Sequence, residues 1–237
     1  RGPSPVLTFL VVVDLTFVAL LVVLAPLSAL RLDARSPAAT TLNLLITMVL
    51  YVAVIRLLVV GPGSLSWREM GVTRPDASAL RDLLLGALLA IPVVGVTLAL
   101  GGLLSRFLEP APSVLPDATD AAGLVANLVT AAILAPIGEE LFFRGFTTTA
   151  WARTSGPSAA IVRGALFFAL AHVLTLFDAS FETGAQRALF SFVALLPVGL
   201  ALGWVFLSRK SLYAAIGLHA AFNGIQVLAL LAVTSAS

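Results

Sequence analysis

Hydrophobic residues dominate this chain in seven long runs that are separated by short polar breaks. The runs cover residues 6–30, 39–60, 83–107, 122–151, 158–176, 188–208 and 211–233. Each approaches or exceeds the length of about 20 apolar residues with which a helix crosses a bilayer. Lipid offers the backbone no hydrogen-bond partners, so runs of this kind are expected to be helical. The pattern predicts an all-α, polytopic transmembrane helix bundle of about seven spans, with eight as the alternative.

The breaks divide the chain into two predicted parts. Residues 1–121 are expected to form N-terminal transmembrane helices with a cytoplasmic amphipathic loop at 61–82, and residues 122–237 a core that contains the last four spans. Arg and Lys are more frequent on the side that holds the N-terminus and this loop, which the positive-inside rule places in the cytoplasm. The first run is too long for a signal-peptide core and is interpreted as a retained span.

The composition supports a membrane protein and excludes several other classes. The chain is 59% hydrophobic and only 11% charged, with a mean hydropathy of +1.06, whereas about a quarter of the residues in a soluble domain are charged. The basic residues are dispersed, so the net charge of +2 does not indicate nucleic-acid binding. The absence of cysteine excludes disulfides, thiolate metal sites and a cysteine nucleophile.

Three short polar strings interrupt the last apolar runs and contain both histidines of the chain. They are Glu139-Glu140-Leu-Phe-Phe-Arg144, Phe168-Ala-Leu-Ala-His172 and His219-Ala-Ala-Phe-Asn223. Ionisable side chains are costly within a membrane and usually mark a functional site there. Glu139, His172 and His219 are all expected well below the membrane surface, so we predict that they share one cavity that is open towards the cytoplasm.

Helical spacing assigns these residues to faces. Glu140 and Arg144 are four residues apart, which predicts an ion pair on one face of the fourth span. Glu139 points elsewhere without a partner close in sequence, as a general base would. Phe168 shares a face with His172, and Asn223 with His219, whereas Arg163 lies opposite His172.

The three strings, in this order on successive apolar helices, resemble the CAAX-processing and bacteriocin-processing (CPBP, or ABI) family of intramembrane endopeptidases, which includes the type II CAAX prenyl proteases. The resemblance covers about residues 122–230. It implies that Glu139 activates a water with the help of His172, and that His219 and Asn223 stabilise the oxyanion. Glu140, Arg144 and Phe168 are expected to support this site.

The resemblance also implies the setting of the reaction. We expect an integral protein of a bacterial cytoplasmic membrane that contacts lipids and cleaves a peptide or membrane-protein substrate, with or without a lipid group. Nucleic acid is not expected as a partner, and the sequence leaves the oligomeric state open.

Other interpretations remain open from the sequence. Glu139, His172 and His219 also form the ligand set of several catalytic zinc sites, although no HExxH pair is present. We favour the version without a metal cofactor. A proton-coupled transporter could use the same buried Glu and His, but no inverted repeat is visible. A membrane scaffold without activity would not require all these polar residues.

Overall fold

Seven helices account for the regular structure in the part of the chain that the computed structural model describes, residues 2–29, 37–111, 121–174 and 180–235. Helix α1 is Pro5–Ala29, and α2 comprises Pro37–Val54 followed by the wider turns of Ile55–Val60. Helix α3 is Ala77–Leu104, α4 covers 121–155, α5 is Pro157–Val173, α6 is Phe181–Arg209 and α7 is Leu212–Ser235. Residues 30–36, 112–120 and 175–179, which contain parts of three predicted breaks, lie outside the described residues. Residues 181–187, expected in a break, instead form the first turns of α6, because the Ser180 hydroxyl accepts a hydrogen bond from the Thr183 N–H and caps the helix.

Six of these helices are long and apolar enough to cross a membrane, and α5 is a shorter apolar helix. The predicted helical membrane bundle is therefore confirmed. Helix α3 begins at Ala77, so residues 77–82, expected in the loop, already form its first turns. The reason is Asp76, whose carboxylate accepts hydrogen bonds from the N–H groups of Ser78 and Ala79 and caps the helix.

Helix α4 lies at the centre, with α2 and α7 packed against it on different sides. Helix α2 runs parallel to α4 at an almost constant offset in sequence. The Oγ1 atoms of Thr41 and Thr130 are 3.0 Å apart, the Met48 side chain covers Gly138, and the rings of Tyr51 and Phe142 have centroids 4.8 Å apart. Parallel helices in one membrane must cross it in the same direction, as the second and fourth of seven spans do.

Helices α3 and α7 approach each other closely through two glycines. A Cβ at Gly86 would overlap the carbonyl oxygen of Ala214, and a Cβ at Gly217 would overlap that of Leu83. Small residues allow this backbone contact in lipid, where van der Waals packing is a main source of helix association. The contact fixes α7, which carries His219, against α3.

The segment 61–76 joins the ends of α2 and α3 and packs across one end of the bundle. The Leu212 N–H donates to the Gly71 carbonyl at 3.2 Å, and the Tyr213 hydroxyl donates to the Thr73 carbonyl at 2.8 Å. Glu69 pairs with Arg153 at the end of α4. Hydrogen bonds from the backbone and hydroxyl of Ser66 hold the pKa of Glu69 below its ordinary value. These contacts tie the ends of α4 and α7 together.

We expect the substitution Gly86→Ala to destabilise the bundle by about 1–3 kcal/mol, because a new methyl group would overlap backbone atoms that cannot rotate away. Gly95→Ala is the matched control on the same helix, since its Cβ would meet open space. Unfolding of the purified variants in detergent measures both. Equal stability of the two variants would contradict the close contact between α3 and α7.

Candidate active site

The site is built around two irregular stretches of α4. Residues Val129–Leu134 and Leu141–Thr148 form wider turns with hydrogen bonds between residues five apart, and the α-helical Ala135–Glu140 lies between them. Such turns are rare and frequently occur at functional sites. All eight residues of Leu141–Thr148 are buried, so protein surrounds this part of α4 on every side. Glu139 and Glu140 end the straight stretch that the two irregular ones flank.

His219 lies between the two glutamates. Its Nδ1 is 2.7 Å from Glu140 Oε1, and its Nε2 is 3.9 Å from Glu139 Oε2. Glu140 is fully buried and ion-paired, so we assign it as the carboxylate acceptor and Nδ1–H of His219 as the donor. This hydrogen bond fixes the imidazole ring so that Nε2 faces Glu139.

His172 approaches Glu139 from α5. Its Nε2 is 3.6 Å from Glu139 Oε2, and its Nδ1 is 2.8 Å from the carbonyl oxygen of Phe168 one turn earlier. A carbonyl oxygen only accepts hydrogen bonds, so Nδ1 of His172 carries the hydrogen. Helices α5 and α7 therefore both direct an imidazole Nε2 at the same carboxylate oxygen.

Phe168 is buried and contacts these groups through its aromatic ring. Its ring centroid lies 4.3 Å from that of His172 and 5.7 Å from that of His219. The guanidinium carbon of Arg144 lies 4.3 Å from the same ring centroid, a cation–π distance. The sequence placed Phe168 on the face of His172, but its contacts with His219 and Arg144 join helices that are distant in sequence.

Arg144 compensates the buried charge of Glu140. Its Nη1 is 3.0 Å from Glu140 Oε1, and both side chains are almost completely excluded from the surface. The ion pair predicted from the spacing is therefore confirmed. Sequence reasoning missed the contact of Glu140 with His219, because 79 residues separate the two and no local pattern connects them.

Asn223 and Arg163 lie farther from these contacts. Asn223 Nδ2 donates to the carbonyl oxygen of Ala131 in α4 at 2.8 Å. Arg163 is exposed and donates to the Ser155 hydroxyl at 2.9 Å, on the outside of α5 as its spacing predicted.

The N-terminal part of the chain also reaches the site, which no local sequence pattern predicted. Met48 of α2 covers Gly138, next to Glu139. Tyr51 is buried against Phe142 and Phe143, which follow the two glutamates. Phe9 of α1 contacts the same two phenylalanines. The aromatic residues after Glu140 thus join α1, α2 and α4 beside the site.

The donor atoms also allow a test of the zinc alternative. Two ligands of a tetrahedral zinc ion lie about 3.3 Å apart when each bond is about 2.0 Å long. Both Nε2 atoms are farther than this from Glu139 Oε2, at 3.6 and 3.9 Å. Within the described ranges, no three His, Cys, Asp or Glu side chains are arranged to hold a metal ion. The three side chains are thus spaced somewhat more widely in this structure than the ligands of one zinc ion.

Comparison with protein families identifies the pattern. Residues 121–225 match the family model described as type II CAAX prenyl endopeptidase Rce1-like. The match includes all three polar strings and confirms the resemblance seen in the sequence. A comparison with curated proteins gives no match, and a comparison with solved structures gives none either.

The fold and this match together describe an integral membrane protein. Over residues 121–225 it is similar to the type II CAAX prenyl endopeptidases.

The two adjacent glutamates are expected to differ sharply in their effect on stability. Glu140→Gln leaves the buried Arg144 without a countercharge, and loss of one partner of a buried pair costs about 3–5 kcal/mol. Glu139→Gln conserves size and removes no hydrogen bond to either histidine within 3.5 Å, so it should cost less than about 1 kcal/mol. Unfolding in detergent compares the two variants. A larger loss of stability for Glu139→Gln than for Glu140→Gln would contradict the assignment of Glu140 as the carboxylate that compensates Arg144.

Proposed function

We propose that this protein is an intramembrane endopeptidase that hydrolyses a peptide bond near the cytoplasmic face of the membrane. The observation that carries the proposal is the convergence of the Nε2 atoms of His172 and His219 on Glu139 Oε2. The match of residues 121–225 to CAAX prenyl endopeptidases supports it. His219 lies seven positions after Leu212, the first residue of α7, which favours access from that end of the helix.

The nucleophile in this proposal is a water held beside Glu139. Separations of 3.6 and 3.9 Å are too long for direct hydrogen bonds and suit polar groups that share a water. Glu139 accepts a proton from this water as the oxygen attacks the carbonyl carbon, and it then delivers the proton to the departing amide nitrogen. His172, fixed by its Nδ1–H bond to Phe168, holds the water at its Nε2.

His219 and Asn223 stabilise the oxyanion of the tetrahedral intermediate. His219 can donate from Nε2 only when both of its ring nitrogens carry hydrogen, since Nδ1 already donates to Glu140. The Glu140 carboxylate holds the ring at Nδ1, as the buried carboxylate of a Ser-His-Asp triad orients its imidazole. Arg144 and Phe168 keep Glu140 and both histidine rings in place.

The substrate class follows from the setting. We propose a peptide or membrane-protein substrate with or without a lipid group, and surrounding lipids as further contacts. The proposed reaction needs no cofactor, because the carboxylate and imidazoles supply both the base and the hydrogen-bond donors. A zinc-dependent reaction at Glu139, His172 and His219 is the alternative.

Replacement of the proposed base should abolish cleavage without unfolding the protein. We expect Glu139→Gln to lower kcat/KM by at least about a hundredfold, the usual contribution of general acid–base catalysis. Internally quenched CAAX peptides, with and without a farnesyl group, measure the rate in detergent or in vesicles. Arg163→Gln is the control, because Arg163 lies outside the site.

Undiminished cleavage by Glu139→Gln would exclude the assigned base. If the wild-type protein cleaves neither peptide but takes up solute into vesicles along a proton gradient, the transporter interpretation replaces the protease.

Metal dependence can be measured separately. We expect activity to survive removal of metal by a strong chelator, and purified active protein to contain well under one zinc per chain by elemental analysis. The reason is the separation of the three candidate ligands. Loss of activity with the chelator, and its recovery on addition of zinc, would favour the metal-dependent alternative.

A further inference from the structure

The irregular turn of α4 ahead of the site leaves one carbonyl group without a helical donor. The N–H of Ala135 donates to the carbonyl of Thr130, five residues earlier. The next N–H in this register would belong to residue 136 and would reach the carbonyl of Ala131. Residue 136 is proline, which has no N–H to donate. A carbonyl left without a partner inside a membrane is costly.

A side chain from another helix supplies the missing hydrogen bond. Asn223 of α7 donates from Nδ2 to the Ala131 carbonyl oxygen at 2.8 Å, a good distance for such a bond. Gly224 follows Asn223, and a methyl group there would only just contact the Ala132 side chain, so α7 lies close against this turn. The amide thus replaces a backbone donor across 92 residues of sequence.

We propose that Asn223 is a positioning residue that substitutes for the N–H absent at Pro136 and thereby fixes the wider turn of α4 ahead of Glu139. Pro136 lies three residues before Glu139, so the geometry of this turn affects the direction in which the carboxylate points. His219 and Asn223 lie on one face of α7, so the same bond also sets the distance between His219 and the glutamates.

The proposal refines the oxyanion role of Asn223. A carboxamide has two N–H groups, and one of them is committed to Ala131. Only the other can reach an oxyanion, and its direction is fixed by the first. The positioning role concerns the folded state, and only its consequence for rate rests on the proposed function.

The test removes the side-chain donor by Asn223→Ala and restores a backbone donor by Pro136→Ala. Hydrogen–deuterium exchange of peptides that cover 129–138 is compared among wild type, Asn223→Ala, Pro136→Ala and the double variant in detergent. We expect Asn223→Ala to accelerate exchange there about tenfold, the effect of one lost buried hydrogen bond. The double variant should return to within about threefold of wild type, because alanine at 136 restores an N–H.

Two further variants keep the test decisive. Asn223→Leu retains the approximate size of the side chain but has no donor, so it should accelerate exchange as alanine does even if Asn223→Ala fails to fold. Gln226→Ala is the matched control on α7, since Gln226 bonds within its own helix to Phe222. It should leave exchange at 129–138 unchanged, with or without Pro136→Ala.

The outcomes separate this proposal from the proposed function. Equally fast exchange in Asn223→Ala and in the double variant, or no acceleration in Asn223→Ala or Asn223→Leu, would overturn the positioning role. Partial recovery of kcat in the double variant on the CAAX peptide would extend the role to catalysis. If the wild-type protein cleaves no peptide, the exchange result still decides the proposal, because it requires no substrate.

Discussion

The rest of the site depends on one buried network, in which the Glu140 carboxylate is bonded to both Arg144 and His219. Its members are almost completely excluded from the surface. In a low-dielectric interior, an isolated carboxylate would be too costly to retain. The guanidinium offsets that cost, and the imidazole uses the remaining capacity of the same oxygen. One consequence is local rigidity. Another is that Glu139, which lies outside this network, is free to contact a water or substrate between the two histidines.

The surrounding helices can be understood as supports for that arrangement. Wider turns before and after the glutamates interrupt α4, which allows two consecutive carboxylates to meet the two nitrogens of one ring. Glycines bring α7 close to α3 and so set the depth of His219. Phe168 contacts the Arg144 guanidinium and both imidazoles through one aromatic ring. Helix packing thus brings the polar groups together, and their hydrogen bonds fix the directions in which they point.

Much of this organisation could be predicted from local patterns. The apolar runs located the helices, because lipid requires long uninterrupted apolar segments. The spacing of Glu140 and Arg144 identified their pair, since residues four apart share a helix face. The contact of Glu140 with His219 and that of Asn223 with Ala131 could not be predicted. Each depends on how two helices pack, and on a break in helical register that no spacing rule describes. The extent of α3 was missed because the cap at Asp76 was not recognised.

The nearly constant offset between α2 and α4 determines whether the family-matched part of the chain could fold on its own. Helix α2 contacts α4 at successive positions, through the pairs Thr41–Thr130, Met48–Gly138 and Tyr51–Phe142. It therefore supports the interrupted helix along its length. A fragment limited to the family-matched residues 121–225 would lack α2 and its contacts with α4. Helix α4 would then face lipid at its two irregular stretches, where exposed backbone groups have no hydrogen-bond partner.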